Sequence, residues 1–235
     1  SPIPNPQSPI PNPQSPHLLI FKNIILICFK MKELFLLILI LLIFSIKSEI
    51  DTSKMIIIYY SRTGNTELFF NYIKEIIYID SYKIEPLIPY PEDSDVMHEL
   101  ARIEYKAKSR PEIKNPLTNV TKYKKILLGY PLWNSHLPNI IITQLLKLNL
   151  LGKTIYPFNT DGYSGVGNSI DDIKLHSVGA IIKKGFDIKA SMIKDKEQSM
   201  KKIKEWLKNN FGYEYESEKI LKINILIIAI YFLLF

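Results

Sequence analysis

Between Met55 and Lys208 the apolar positions alternate between two rhythms. The unbroken apolar run Met55–Tyr60, bounded by turn-forming residues, reads as a buried strand, and Lys124–Tyr130 and Lys153–Asn159 read as strands too. Tyr82–Ile88 reads as a further strand, the second in chain order, ended by Pro86, Pro89 and Pro91. Between these runs the apolar residues recur at helical spacing. Glu67–Ile79 carries Leu68, Phe69, Tyr72, Ile73, Ile76 and Ile77 in that register. Helices are also predicted over Asp93–Lys108, with acidic residues in its first turn, and over Leu137–Leu148, with Pro138 in its first turn. Thr160–Ser169 is a glycine-rich loop and Ile170–Leu175 a short helix. Val178–Ile188 contains a fifth strand, interrupted near Gly185. Asp195–Lys208 is an amphipathic last helix with Met200, Ile203 and Leu207 on one face. Strands alternating with helices predict an α/β fold, a parallel sheet covered on both faces.

Outside this region the pattern changes. The first sixteen residues repeat SPIPNPQ twice and end in Ser15-Pro16, a composition that builds no packed core and reads as disordered. Residues 17–50 form a hydrophobic signal or anchor segment. Within it, His17–Phe29 is interrupted by Lys22 and Leu34–Phe44 is unbroken. If translation starts at Met31, MKELFLLILILLIFSIKS has the basic start, short apolar core and small residue of a secretory signal. The protein would then be exported or membrane-associated, and otherwise cytoplasmic. The apolar core falls short of the ~20 residues that span a bilayer. The domain is expected over 51–212, followed by an apolar tail, 213–235, so both terminal segments offer membrane association.

Composition removes several chemistries. The 235 residues carry a net charge of +7, from 30 Lys and Arg against 23 Asp and Glu. The lysines are scattered and no arginine-rich helix appears, so no nucleic-acid partner is expected. Cys28 is the only cysteine, which excludes an intrachain disulfide, a cysteine zinc site and a dithiol pair. His17, His98, His136 and His176 lie far apart, with no metal-ligand spacing.

In a parallel sheet, ligands sit beyond the carboxyl ends of the strands. Three loops occupy such ends: Ser61–Thr66, Pro131–His136 and Thr160–Ser169. The first holds three hydroxyls and one glycine between a strand and a helix start, an arrangement that suits an anion. It has neither the lysine of a triphosphate loop nor the glycine spacing of a dinucleotide fold, which leaves a single terminal phosphate. The alternative is a helix start capped by Ser61 or Thr63. His136 could donate a proton to an acceptor, or pack against the helix that follows it.

These loops resemble those of the flavodoxin superfamily. YYSRTGNT is similar to its phosphate loop, LLGYPLWNSHLP to its hydrophobic loop, and GKTIYPFNTDGYSGVGNS to its third loop. YPEDSDVMHELARIEYKAKSRPEI resembles a linking segment of the small bacterial-type branch. The resemblance runs from Met55 to about Leu207 and implies a three-layer, doubly wound, five-stranded parallel sheet of order 2-1-3-4-5.

It also implies non-covalent FMN as cofactor. Ser61, Thr63, Asn65 and Thr66, with the backbone of Arg62 and Gly64, would hold the phosphate. Pro131, Leu132 and Trp133, with Asn134 beside them, would line the flavin ring. Thr160, Asp161, Gly162 and Gly165 would close over its other edge. The chain departs from the motifs at Asn134 and Ser135, where relatives carry Trp and Gly, and at Tyr163, where they carry Gly. Tyr163 is then expected to contact the ring. The implied function is electron transfer through the flavin, with a redox partner protein or a small acceptor such as a quinone. The alternatives are an NAD(P)H-dependent FMN oxidoreductase and a scaffold without flavin. No residue is expected to be catalytic and no metal is expected.

Overall fold

The computed structural model describes residues 16–46, 51–162, 165–213, 223–225 and 227–228. Residues 1–15 with the proline-rich repeat, most of the apolar tail and Tyr163 lie outside them. The chain divides into two compact units, one made of its two ends and the other spanning Ile50–Tyr213.

In the first unit the two apolar runs join into one 31-residue helix, α1 (Pro16–Ile46). Lys22, Lys30, Lys32 and Glu33 break its apolar character. Among the described residues no helix is long and apolar enough to cross a membrane.

The second unit runs β1 (Met55–Tyr59), α2 (Asn65–Ile76), β2 (Asp80–Lys83), α3 (Ser94–Ala107), β3 (Lys125–Pro131) and α4 (Asn139–Leu146). It continues with β4 (Thr154–Asp161), α5 (Ser169–His176), β5 (Ile181–Ile182), β6 (Phe186–Lys189) and α6 (Lys196–Phe211). The strands form a parallel sheet in the order β2-β1-β3-β4-β5, and β6 pairs with β4 beyond β5. β5 and β6 therefore share the fifth position, as the break expected near Gly185 requires. A Cβ on Gly185 would meet Val166 and Ile170 side chains at 2.7 and 2.8 Å, so a glycine lets these neighbours pass.

Every residue of β1 is buried, because both faces of the sheet are covered. Ile56, Ile58 and Tyr60 face a cluster with Met97 of α3, Ile141 of α4 and Ile173 of α5. Met55, Ile57 and Tyr59 face the opposite cluster, with Phe69 of α2 and Leu207 of α6. Period-two alternation of apolar side chains thus feeds two cores and fixes the register.

Several boundaries differ from the sequence reading, four of them for a visible reason. β2 spans Asp80–Lys83 instead of Tyr82–Ile88, because the chain leaves the sheet at the prolines. There Leu87 N–H donates to Glu112 C=O at 2.8 Å and Lys114 N–H to Glu85 C=O at 2.9 Å, forming a short antiparallel contact. α2 stops at Ile76, with Ile77 extended, which frees Ile79 to be buried before β2. β4 continues through Thr160 and Asp161, drawn on by pairing of Asp161 with Lys189. α6 runs on to Phe211 and ends at Gly212 in the left-handed conformation.

Candidate functional site

The carboxyl ends of β1, β3 and β4 lie side by side, so the loops that leave them meet. Gly64 opens α2 at φ 89°, and no side chain caps the helix. Neither Ser61 nor Thr63 is the helix cap that a purely structural reading would require. Asn65 and Thr66 instead form the first turn, where backbone N–H groups have no partner within the helix.

Thr66 Oγ1 lies 2.8 Å from Thr160 Oγ1, and both residues are buried. This bond joins the first loop to the third. The side chain of Arg62 turns to the linking segment, where Nη1 donates to Pro91 and Glu92 carbonyls at 2.9 Å each. The Ser61 Oγ is buried with no hydrogen-bond partner among the described residues. A buried hydroxyl without a partner costs about 1–3 kcal/mol, and at an uncapped helix start it is placed to donate to an anion. The residues present therefore fit a phosphate at this position.

The second loop leaves β3 at Pro131. Leu132 N–H donates to Thr160 C=O at 3.2 Å, tying it to the third loop. Trp133 and His136 exchange backbone hydrogen bonds of 3.1 and 2.8 Å. Between them Asn134 and Ser135 sit at φ 49° and 66°, the signature of a type I′ turn. Asn tolerates that conformation, whereas Ser is strained in it. Asn134 Nδ2 also donates to the His98 carbonyl at 3.0 Å.

Trp133 is buried, with its ring edge-on to Tyr60 at 5.7 Å and to Tyr90 at 4.9 Å. Burial pushes both tyrosine hydroxyls above the ordinary phenol range. Tyr60 and Tyr90 are two of the residues whose part in the site the sequence reading missed. Tyr60 appeared as the end of a strand at the head of the phosphate-loop motif and Tyr90 as the first residue of the linking segment, neither with a role in the site.

The third loop is held from two strands at once. Asn159 Nδ2 donates to Gly165 C=O at 3.0 Å, and Gly165 N–H donates to Asp187 Oδ2 at 2.9 Å. Asn159 lies within the third-loop motif but was given no role there, and Asp187 lies outside it, so only the sheet pairing of β4 with β6 reveals what they do. Gly165 needs its φ of 103° to make both bonds. Further on, a Cβ on Gly167 would lie 2.5 Å from the Ser135 carbonyl oxygen. Asn168 N–H donates to that same oxygen at 2.7 Å. The second and third loops are thus clasped backbone to backbone. Gly162 has open space around its Cβ position, and Tyr163 is outside the described residues.

His136 is fully engaged. Its Nδ1 is 3.0 Å from Asp172 Oδ2, its Nε2 is 3.3 Å from Asn168 Nδ2, and Tyr105 stacks on its ring at 3.9 Å. Asp172 also accepts from Leu137 N–H at 3.0 Å. This histidine holds the start of the segment leading to α4, which is the packing role and not that of a free acid.

The sequence profile of the flavodoxin family matches residues 54–210. No curated protein is a significant match. Among solved structures, the chain is similar to a candidate flavoprotein from Bacteroides uniformis, at 26% identity and a TM-score of 0.55. That likeness covers 64% of this chain and 99% of the other. A candidate flavoprotein from Bacteroides eggerthii matches at 28% identity and TM-score 0.55, covering 69% and 99%. A flavoprotein in complex with FMN from Lactobacillus acidophilus shares the fold at 18% identity and TM-score 0.50, covering 62% and 99%.

Proposed function

Since this chain belongs to the flavodoxin family, we propose that it binds FMN non-covalently and passes electrons through it. One observation carries the reading. The three loops at the carboxyl ends of β1, β3 and β4 are bonded to one another beside an uncapped helix start, where the Ser61 hydroxyl is buried without a partner among the described residues. The fold relative from Lactobacillus acidophilus, described in complex with FMN, supports the choice of ligand.

Ser61, Thr63, Asn65 and Thr66, with the Arg62 and Gly64 backbone, would hold the phosphate against the helix N-terminus. Pro131, Leu132, Trp133 and Asn134 would line the ring on one side, and Thr160, Asp161, Gly162 and Gly165 on the other. A bound flavin exchanges one or two electrons with a partner, so the protein's part is to hold, orient and tune it. The Asn159 and Asp187 bonds fix Gly165, and the Ser135–Asn168 clasp fixes the two ring loops relative to each other. Such pre-organisation reduces the ordering cost on binding. The partner is a redox protein or a small acceptor such as a quinone.

Titration of FMN into the full chain tests the reading. Quenching of flavin fluorescence at one equivalent per chain is expected. Flavin that stays fully fluorescent would leave only the scaffold alternative. Once FMN is bound, oxidation of NADH or NADPH in the presence of a quinone would identify a reductase, and its absence an electron carrier.

A further inference from the structure

An open cleft of about 540 Å³, with Leu87, Ile88 and Ile103 exposed along it, lies next to the three loops but outside them, between the linking segment and α3. Its volume falls in the range typical of small-molecule sites, roughly 300–1,000 Å³. The fold builds it in three pieces. Leu87 to Tyr90 form one wall, Leu100, Ile103 and Glu104 of α3 the second, and Ser109 to Glu112 the third. The walls are fixed independently of any ligand. Glu85–Leu87 pairs with Glu112–Lys114 through backbone bonds, and Asn139 Nδ2 donates to the carbonyls of Glu104 and Ser109 at 2.7 and 2.9 Å.

The lining is mostly aliphatic, with one polar pair within it: the Tyr90 hydroxyl donates to Glu104 Oε2 at 3.1 Å. Glu104 Oε1 makes no hydrogen bond among the described residues. Burial raises the affinity of this carboxyl for its proton, partly offset by the Tyr90 bond. Arg110 and Glu112 are exposed, and Arg110 Nη1 is already donating to the Lys108 and Ser109 carbonyls at 2.9 and 2.8 Å. With two carboxylates against one engaged guanidinium, the cavity is poorly suited to an anion. Tyr90 also forms a wall shared with the other site, since its ring contacts Trp133.

We propose that this cavity binds a small neutral ring compound whose hydroxyl donates to the free oxygen of Glu104. The aliphatic walls take the ring, and Glu104 accepts a hydroxyl proton donor whether or not it is ionised. This goes beyond flavin binding and does not depend on it.

The test is equilibrium dialysis of 2-naphthol against the full chain with no flavin added. Saturable binding of one molecule per chain is expected. The matched ether, 2-methoxynaphthalene, keeps the ring and loses the donor, and should bind about tenfold more weakly or worse. Ile103→Glu places a charge in the cavity from a half-exposed position, 50% accessible, and should weaken 2-naphthol by at least about tenfold while circular dichroism stays unchanged. Leu151→Glu, 75% accessible and not part of the lining, should leave binding as it was. Bound 2-naphthol should also change Trp133 fluorescence in a Trp206→Phe background. Absence of saturable binding, equal affinity for the ether, or full binding by folded Ile103→Glu would each overturn the proposal. A chain that bound no FMN would still report on this cavity, so the two readings fail separately.

Discussion

Ser61 carries a buried hydroxyl that no described residue of the protein answers. In a cofactor-free chain that is a loss of about 1–3 kcal/mol relative to a satisfied group, so its removal should be harmless or helpful to the fold. Ser61→Ala is therefore expected to leave the denaturant midpoint of the apoprotein unchanged or raised by the equivalent of ~1 kcal/mol. The same change should weaken FMN by about tenfold, the worth of one charge-assisted hydrogen bond. A large loss of apoprotein stability would show that Ser61 is structural. Ser135 presents the opposite case, a side chain in a conformation that disfavours it, at φ 66°. Ser135→Gly should relieve the strain and raise stability by up to ~1 kcal/mol, read from the denaturant midpoint. A drop instead would mean that the turn needs the serine side chain. Gly167 admits no such freedom, because a Cβ there would strike the Ser135 carbonyl at 2.5 Å.

At the scale of single elements, β3 shows how one glycine sets the packing of a strand. A Cβ on Gly129 would lie 2.3 Å from Phe158 Cζ, and Phe158 in turn stacks on Phe69 at 4.7 Å. The glycine makes room for a ring that ties β4 to α2. Gly129→Ala should cost about 1–3 kcal/mol by overpacking. Part of that loss should return in Gly129→Ala with Phe158→Leu, so a double-mutant cycle would show coupling; strict additivity would disprove the contact's importance. The strands and helices themselves were readable because apolar runs of five to seven residues alternated with helical spacing. What escaped were features that depend on partners distant in sequence. Where β2 ends and where β4 continues are decided by pairing with β1 and β6, which no local pattern announces. The motif residues Thr66, Leu132 and Thr160 were legible and do come together. Tyr60, Tyr90, Asn159 and Asp187 were not, since their place near the loops comes from side-chain packing and strand register.

Across the whole second unit, buried tyrosines make alkaline pH a weakness of the fold. Tyr60 and Tyr130 lie inside one core and Tyr59 in the other, with Tyr90 beside Trp133. In each, burial is the chief reason that the hydroxyl resists ionisation well beyond its ordinary value near 10. The unfolded chain has no such protection, so its tyrosines lose their protons first as the pH rises. Raised folded values mean that this part of the stability is fully present below pH 10 and is lost above it. Each tyrosine held neutral in the fold should remove about 1.4 kcal/mol per pH unit once the unfolded form ionises. Denaturant midpoints measured from pH 8 to 11 should accordingly hold steady and then fall. The share of tyrosinate absorbance that these four tyrosines contribute should appear with loss of the fold and not before it, whereas exposed tyrosines such as Tyr78 have no such protection. Tyr130→Phe supplies the decisive comparison. It removes the bond to Ser169, 2.9 Å long, and so lowers stability at pH 8 by a roughly constant amount. Having no proton to lose, it should also make the decline above pH 10 shallower. A variant whose alkaline slope matched the wild type would show that Tyr130 ionises in place, and that the core around β3 admits water without unfolding.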